Sequence, residues 1–482
     1  MKKNLRVLLI YPPYVWEYKR PALGLAYIAS VLIASGVEVD ILDMDAEGLT
    51  LKDFSTSFDK DYSLIGISFL TPQYQTVREL VRLIKRKQKD ALVVVGGPHA
   101  SAMPEQSIDE LKADFVAVGE GEYTIVNLIK NLNDEKYLEK LPGLVFRNGA
   151  GNIINQGKGE TSDINTLPFP AWHLFPLESN CYNVSLPGVS NKEMVFPLLT
   201  SRSCPYDCVF CDSHTVFGRG FNARTPGNIV EEIKYMNERF QARQFDIVDD
   251  TFTVDVKRVH EVCALILKNN LKIKWICNAR VNLVDLKLLE AMKKAGCTAV
   301  NYGVESGDPV VIQNISKKIK IEQIINAHKL SKEAGLIVTT FIMVGSIGET
   351  FGSVKLTEKL IEKIDSDYPG LSISTPFPGS PLYKIALENN WLQVKDWSKY
   401  VTSPYAIDDY QPIMRTDVMT GDEILKAYYY LMGKIARKKL KTKYGQFYYM
   451  NPSMYMNELK RVRDIRGILR KLALVKNLIS NS

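Results

Sequence analysis

Two successive series of short apolar segments alternate with stretches of helical spacing, and this alternation favours parallel α/β architecture. The first series predicts five strands, at Leu5–Tyr11, Glu38–Met44, Leu64–Phe69, Ala91–Gly97 and Phe115–Gly119. Helical patterns separate them at Ala22–Ser35, Gln73–Lys87 and Glu122–Leu132. We therefore expect a doubly wound, Rossmann-like domain over residues 1–140, with its ligand crevice at the carboxyl ends of the strands.

The second series predicts six strands, at Phe196–Ser201, Phe245–Asp249, Ile273–Ala279, Ala299–Val304, Leu336–Val344 and Leu371–Thr375. Helical patterns lie between them, for example at Asn228–Phe240 and Asp285–Ala295. Six β/α units predict a partial (β/α)6 barrel over residues 191–400, and barrels of this kind carry their chemistry at the carboxyl-terminal rim.

The two series are joined by residues 141–190. Gly143–Gln156 is typical of a hairpin with a glycine-rich turn. The proline-rich segment Asp163–Pro176 predicts a linker that lies across the surface. Beyond the barrel, residues 401–482 are predicted to form a helical, aromatic and then basic C-terminal region.

The composition is that of a folded protein with large cores. The 482 residues are 46% hydrophobic and 24% charged, which argues against broad disorder. The apolar runs are too short for a membrane span, and the first residues, MKKNLRVLLIYPP, do not have the pattern of a signal peptide. We therefore expect a cytoplasmic protein with reduced thiols.

Three of the seven cysteines lie within eight residues of one another. Cys204, Cys208 and Cys211 have the spacing C-x3-C-x2-C directly after the first barrel strand. Three thiolates on one loop can bind three irons of a [4Fe–4S] cluster and leave the fourth iron open for the amino and carboxylate groups of S-adenosylmethionine (SAM). A structural zinc site that includes His214 and a set of unrelated thiols are the alternatives. The rim position favours the cluster.

The phrase TSRSCPYDCVFC closely resembles the radical SAM superfamily, and in particular its cobalamin-binding branch. The resemblance extends over roughly residues 1–400. It implies an N-terminal Rossmann-like cobalamin-binding domain, a radical SAM barrel and three cofactors, namely a [4Fe–4S] cluster, S-adenosyl-L-methionine and cobalamin. It also implies reductive cleavage of SAM to a 5′-deoxyadenosyl radical.

The resemblance assigns SAM contacts to the ends of the barrel strands. Asp249 or Asp250 is expected at the amino group of SAM, with a helix N-cap as the structural alternative. Glu305 is expected at the ribose or amino group, and Arg280 can pair with the carboxylate in a planar fork. An Arg280–Glu305 ion pair is the structural alternative for both. The loop Gly345–Thr350 is expected to shape the adenine pocket.

The N-terminal domain carries residues that this branch uses for cobalamin. Ser68 and Leu70 match its S-x-L motif, where a hydroxyl can reach the buried nucleotide tail. Gly96 and Gly97 match its G-G motif, where the backbone can approach that tail closely.

The histidine that ligates cobalt in many cobalamin proteins is missing here. The loop Tyr11–Gly24 replaces its D-x-H-x-x-G motif, and His99 is not at the matching position. Cobalamin could still bind without a histidine on cobalt, and His99 is expected to be structural. A scaffold that has lost its cofactor is the alternative for the whole domain.

The family resemblance favours methyl transfer to an unactivated carbon. In that scheme one SAM methylates cobalamin, and another gives the radical that takes a hydrogen atom from the substrate. A cobalamin-dependent oxidative cyclase or rearrangement enzyme is the first alternative. A cobalamin- or SAM-binding protein without turnover and a zinc-stabilised structural protein are alternatives of other classes.

The expected partners are a small-molecule or lipid substrate and an electron donor such as a flavodoxin or ferredoxin. No recognised nucleic-acid module is present. The net charge of +7 is concentrated at Lys434–Lys443 and Lys460–Lys476. A basic amphipathic helix can lie on an anionic membrane, so peripheral membrane contact through this tail is an open hypothesis beside a solvated helical face.

Overall fold

The computed structural model describes residues 5–14, 19–57 and 60–445, and it contains two seven-stranded sheets. The first sheet consists of β1 (Arg6–Tyr11), β2 (Glu38–Asp43), β3 (Leu64–Ser68), β4 (Leu92–Gly96), β5 (Phe115–Ala117), β6 (Leu144–Arg147) and β7 (Ile153–Asn155). The strand order is β2-β1-β3-β4-β5-β6-β7. Strands β1 to β5 are parallel, which confirms the predicted Rossmann-like fold.

The hairpin after the fifth strand belongs to this sheet. Strand β6 pairs with β5 antiparallel, and β7 pairs with β6. The predicted domain boundary at residue 140 therefore lies before the end of the sheet, which continues to Asn155. The hairpin shields the edge of β5 that would otherwise expose unpaired backbone groups.

Helices cover both faces of the first sheet. They are α1 (Leu23–Ala34), α2 (Met44–Glu47), α3 (Leu51–Ser57), α4 (Tyr74–Lys87), α5 (Pro98–Ala102), α6 (Pro104–Leu111), α7 (Gly121–Lys130) and α8 (Glu135–Leu138). The strand residues alternate between two apolar cores: Leu9 faces one and Leu8 faces the other. Because the strands are buried on both faces, strands such as β1 appear in the sequence as continuous apolar runs.

The second sheet is the open barrel. Its strands are β8 (Asn183–Val184), β9 (Glu193–Leu198), β12 (Gln244–Ile247), β13 (Lys274–Ala279), β14 (Cys297–Glu305), β15 (Ile337–Val344) and β16 (Tyr368–Ile373), and the short ribbon β10 (Ser201–Arg202) and β11 (Asn222–Ala223) stands apart. The order is β16-β15-β14-β13-β12-β9-β8. Six parallel strands confirm the partial barrel, and β8 adds an antiparallel edge.

The barrel helices are α9 (His214–Phe217), α10 (Pro226–Phe240), α11 (Val256–Lys268), α12 (Leu286–Lys294), α13 (Pro309–Asn314), α14 (Ile321–Glu333), α15 (Phe351–Lys363) and α16 (Pro381–Glu388). Several begin at a side-chain cap soon after a strand ends. Asp255 accepts a hydrogen bond from the Arg258 backbone, and Asp285 accepts one from Leu288. Such caps satisfy helix N–H groups and fix the loops of the rim.

Two predictions outside the strands need correction. Residues 401–420 contain no helix, and the C-terminal helix of the described chain is α17 (Gly421–Tyr444). The linker is not merely superficial, because Trp172 is fully buried with its ring 5.9 Å from that of Phe196 on β9. The linker thus fills space between the two sheets. The basic segment Lys460–Lys476 lies outside the described residues.

Five 3-10 turns complete the described secondary structure, at Thr71–Gln73, Trp172–Leu174, Leu177–Ser179, Phe252–Val254 and Trp397–Lys399. None of the helices in the described ranges has both the length and the apolar character needed to cross a bilayer.

Candidate active site

The three clustered thiols lie on one loop at the carboxyl-terminal rim of the barrel. Cys204 and Cys208 are each 9% exposed, and Cys211 is half-buried. The Cys204 Sγ lies 3.8 Å from the Thr251 hydroxyl, which follows β12. The Cys211 backbone N–H donates to the Cys208 carbonyl at 3.1 Å, so a tight turn brings the last two cysteines together.

Backbone contacts from distant segments hold this loop in place. The Val209 N–H donates to the Ile315 carbonyl at 3.0 Å, and the Val209 carbonyl accepts from the Leu382 N–H at 2.8 Å. Ser203 adopts a φ of 67°, a region that a non-glycine residue enters only when its surroundings enforce it. Its hydroxyl donates to the Gly218 carbonyl at 2.5 Å. The loop is therefore preorganised by the barrel.

His214 occupies a position that does not suit a zinc ligand set. Its Nε2 is 2.7 Å from the Cys204 backbone carbonyl, so this nitrogen braces the loop. Within the described ranges, no three His, Cys, Asp or Glu side chains enclose an ion-sized site. In the cluster interpretation each thiolate serves a separate iron, so the three sulfurs need not converge on a single ion.

Burial disfavours ionisation of the free thiols of Cys204 and Cys211. Desolvation raises the pKa of Cys204, and it raises that of Cys211 to about 11 despite a hydrogen bond with Ser213. A thiol of this kind ionises when a metal takes the sulfur and the proton leaves. The loop chemistry therefore fits an iron–sulfur cluster.

Asp249 is a structural hub. It is fully buried, and its carboxylate accepts hydrogen bonds from the Thr200 N–H at 2.6 Å and from the Thr200 and Ser201 hydroxyls at 2.5 Å each. Arg258 lies 3.6 Å away as an ion partner. The contact of Asp249 with SAM stays a prediction, and these hydrogen bonds give its carboxylate a structural role as well. The N-cap alternative is wrong, since Asp255 caps the next helix.

Asp250 is the exposed member of this pair. Its pKa is raised to about 6 by partial desolvation of the carboxyl group and by the nearby carboxylates of Asp249 and Asp212. A carboxyl group in this position benefits from an incoming cation. The predicted contact with the SAM amino group therefore remains a prediction for Asp250.

Arg280 closes over the cysteine loop. Its guanidinium lies 3.6 Å from the ring centroid of Tyr206, and its Nη1 lies 3.9 Å from the Cys208 Sγ. Its Nη2 donates to the Lys317 carbonyl. The sequence places Arg280 at the rim, but the structure shows that it stacks on the loop itself.

Glu305 pairs with Lys317 rather than with Arg280. The Lys317 Nζ donates to Glu305 Oε1 at 2.7 Å, and the two side chains are only 11% and 10% exposed. A Cβ at Gly303 would lie 2.5 Å from Glu305 Oε1 and 2.6 Å from Lys317 Nζ, so the glycine makes room for the pair. Sequence reasoning missed Lys317 because it contacts Glu305 only after the intervening helix α13 folds the chain back over twelve residues.

Gly345 sets the shape of the loop after β15. Its φ is 81°, and a Cβ would lie 2.9 Å from Ile424 of α17. Its N–H donates to the buried Glu349 at 2.6 Å, which folds the loop back on itself. Desolvation raises the pKa of Glu349 to about 7. A direct contact of Gly345 with adenine stays a prediction.

A cavity of about 720 Å³ lies between the two sheets. The four predicted cobalamin residues line it on the side of the first sheet: Ser68, Leu70, Gly96 and Gly97. On the barrel side it is bounded by Leu199, Arg202 and Phe217, which flank the cysteine loop in sequence. Sites of this volume are typical of bound organic molecules.

The cavity edge on the first sheet fits the close approach of a corrinoid tail. Gly97 has a φ of 92°, and a Cβ there would lie 2.9 Å from both Ser68 Oγ and the Phe69 backbone. Gly24 opens onto empty space, with no atom within 4 Å of a built Cβ. This groove of small residues at the strand ends is compatible with cobalamin.

The loop after β1 is tied down by polar contacts. Gln73 donates to the Pro12 carbonyl at 2.7 Å, and the Tyr14 N–H donates to Asp45 at 2.8 Å. His99 is fully buried, with Nδ1 3.1 Å from the Thr71 hydroxyl and its ring 5.2 Å from that of Trp397. Burial lowers its pKa to about 3. This packing agrees with the structural interpretation of His99.

Arg202 joins the two halves of the protein. Its Nη1 donates to Glu120, and its Nη2 donates to Glu122 at 2.5 Å. The side chains of Arg202, Glu120 and Glu122 are 4%, 3% and 7% exposed. The guanidinium also lies over the rings of Tyr27 and Phe217 at 5.4 and 5.6 Å. The GEGE run at the end of β5 and the arginine before Cys204 are both visible in the sequence, but no local pattern pairs them.

Two family models match the chain. The model of the radical SAM superfamily matches residues 198–361, and that of the B12 binding domain matches residues 15–129. These ranges coincide with the barrel and with the first sheet.

Relatives of known sequence and structure extend the match over nearly the whole chain. An uncharacterized methyltransferase of Pyrococcus horikoshii is 32% identical, over 97% of this chain and 99% of its own. The anaerobic magnesium-protoporphyrin IX monomethyl ester cyclase of Rubrivivax gelatinosus is 26% identical, over 87% and 75%. The cobalamin-dependent SAM radical enzyme OxsB, solved with aqua-cobalamin and SAM, shares the fold with a TM-score of 0.74 at 17% identity, over 99% of this chain and 71% of its own.

Proposed function

Because this chain belongs to the cobalamin-binding branch of the radical SAM superfamily, we propose that it transfers a methyl group to an unactivated carbon of its substrate. The observation that carries this proposal is the shared cavity. The residues that flank the cysteine loop and the glycine-rich edge of the first sheet border the same space. A substrate held there can be reached from both sides.

The residues of the chain divide into three roles. Cys204, Cys208 and Cys211 hold the cluster. Ser68, Gly96 and Gly97 hold the corrinoid. When bound, the cluster supplies the electron that cleaves SAM, and cobalamin supplies the methyl carrier. Arg280 fixes the cysteine loop by stacking on Tyr206.

The remaining rim residues position SAM and exclude water. Asp250 presents a carboxylate to the SAM amino group, and the buried Glu305–Lys317 pair presents a fixed acceptor and donor at the end of β14, two strands away in the sheet. The apolar lining of the cavity, including Leu199 and Val248, excludes water from the reacting groups.

We place this reaction in the cytoplasm, with a flavodoxin or ferredoxin as electron donor. All seven cysteines are free, which suits a reducing compartment. A small-molecule substrate matches the size of the cavity. Membrane contact through the basic tail rests on residues that lie largely outside the described ranges.

Anaerobic reconstitution with iron, sulfide and hydroxocobalamin tests the proposal. The reduced protein is expected to form 5′-deoxyadenosine from SAM and to move a deuterated methyl group from SAM into a product. The Cys208→Ser variant should lose both activities. The matched control Cys181→Ser changes a linker thiol and should keep them. A wild-type protein that carries zinc, or that forms no 5′-deoxyadenosine, would overturn the assignment.

Oxidative cyclisation is the second candidate, favoured by the 26% identity to the porphyrin cyclase. The mass of the product separates the two reactions, since methyl transfer adds the labelled methyl group and cyclisation removes hydrogens.

A further inference from the structure

Arg20 crosses from the first domain to the interior of the barrel. It lies in the loop Tyr11–Gly24, which stands where many cobalamin proteins carry a cobalt-binding histidine. Its Nη1 donates to Asp246 on β12, more than two hundred residues away. Asp246 is 8% exposed, whereas Arg20 keeps 45% of its side chain accessible. The carboxylate therefore fixes one edge of the guanidinium and leaves the rest free for another contact.

This ion pair lies where the interdomain cavity meets the barrel interior. Arg20 lines the cavity directly. Asp246 lies beside Pro197 in the register of β12 and β9, and Val248, two residues further along, points to the same face. Pro197 and Val248 both line the cavity. Arg20 thus faces the space between the corrinoid edge and the cysteine loop.

Among the described residues that line the cavity there are two arginines, and they differ in availability. Arg202 donates to two buried carboxylates and cannot offer a charge to a ligand. Among the residues that the structure describes, Arg20 has one carboxylate partner, Asp246, and a guanidinium has five N–H donors. An anion that enters a largely apolar cavity needs a paired cation, and Arg20 is the lining residue that can provide one.

Resting on the proposed methyl transfer, we propose that Arg20 binds an anionic group of the methyl-accepting substrate and that Asp246 is its positioning residue. The substrate is then a small molecule with a carboxylate or a phosphate group. Both groups match the planar fork of a guanidinium in a two-bond geometry.

The charge of the methylated product tests this inference. Reconstituted wild-type protein is incubated with SAM that carries a radiolabelled methyl group and with a small-molecule extract of the producing organism. The labelled product is expected to bind an anion-exchange resin at neutral pH. Loss of retention after phosphatase treatment identifies a phosphate monoester, and retention that is lost only after methyl esterification of carboxyl groups identifies a carboxylate. A labelled but unretained product overturns the inference alone, whereas absence of any labelled product, with 5′-deoxyadenosine still formed, overturns the methyl transfer itself.

Variants separate substrate binding from a structural role of the ion pair. Arg20→Gln should lower kcat/KM for label transfer by about 100-fold, mainly through KM, because a fixed charged contact is lost. Arg20→Lys should recover part of this loss, since it keeps the charge but not the fork. Asp246→Asn should raise KM by about tenfold with kcat retained. The control Arg147→Gln removes a half-exposed arginine with one carboxylate partner on the outer surface and should change nothing.

Iron content, cobalamin absorbance and the unfolding midpoint are measured for each variant. All three are expected to match the wild type in Arg20→Gln. Loss of cobalamin from this variant would assign Arg20 to the cofactor phosphate and refute the substrate role. An unchanged KM would refute it as well. If Arg20→Gln unfolds at a lower temperature but keeps its KM, the Arg20–Asp246 pair is only a structural contact between the domains.

Discussion

Replacement of Arg202 by methionine is expected to destabilise the protein strongly. The guanidinium donates to Glu120 and Glu122, and the three side chains are only 4%, 3% and 7% exposed. Its removal leaves two carboxylates buried without their cation. Breaking a buried ion pair costs about 3–5 kcal/mol. For domains of this size, each kcal/mol lowers the unfolding temperature by roughly 2–4 °C, so a decrease on the order of 10 °C is expected.

The measurement is urea-induced unfolding of the apoprotein, followed by tryptophan fluorescence. The triple variant R202M/E120Q/E122Q removes every charge and should recover at least half of the loss, since neutral replacements of a buried ion group are tolerated better than a broken one. Burial already raises the pKa of Glu120, so the R202M defect should be smaller at pH 5 than at pH 8.

Two results would refute this reasoning. One is a loss below about 1 kcal/mol, the range expected for the surface control Arg147→Met. The other is a triple variant as unstable as R202M, because then the loss would come from packing of the long side chain over Tyr27 and Phe217 and not from unpaired charge.

The remaining predictions address single positions. Glu349 has a pKa raised to about 7 from 4.5. Its contribution to the free energy of unfolding is therefore complete below pH 4.5 and is lost as the pH rises through 7, a change of up to about 3 kcal/mol. Glu349→Gln should flatten this pH dependence in unfolding midpoints measured from pH 5 to 8. Gly97→Ala should lower the free energy of unfolding by about 1–3 kcal/mol and weaken cobalamin binding, because the new Cβ meets the backbone that follows β3. The control Gly36→Ala has a φ of 79° but open space around the Cβ, so it should show only the cost of the backbone conformation and normal cobalamin absorbance. Lys317→Met should leave iron content intact but weaken SAM binding by about tenfold in equilibrium dialysis, since Glu305 loses its partner; an unchanged SAM affinity would place the pair outside the SAM site.

The sequence predicts the two sheets well because their strands are buried on both faces. Continuous apolar runs such as Leu5–Tyr11 have no competing helical pattern of similar strength. The antiparallel additions are harder to place. The hairpin at 144–155 is recognisable from its turn, but nothing local indicates that it pairs with β5, because pairing depends on an edge that is defined only when the sheet forms.

The site shows the same division. The cysteine spacing is a local signal, and the structure places all three thiols on one rim loop. Asp249 and Asp250 are adjacent in sequence, yet their side chains point to opposite sides of the chain, so that one is buried and the other is exposed. Because the two residues are identical, the sequence does not reveal which one is buried. Arg20 reaches the site from a remote segment, and Lys317 reaches it from the turn after α13, twelve residues beyond Glu305. No short-range pattern marks either residue.

The contacts of Arg202 also bear on the order in which the two halves of the protein fold during synthesis. The acidic residues at 120 and 122 leave the ribosome about eighty residues before their arginine, and domains tend to fold as they emerge. The N-terminal half is therefore ready as a template when the cysteine segment is translated. A truncated chain that begins after residue 140 would lack Glu120 and Glu122, and the segment that leads into Cys204 would lose the two buried carboxylates that hold Arg202.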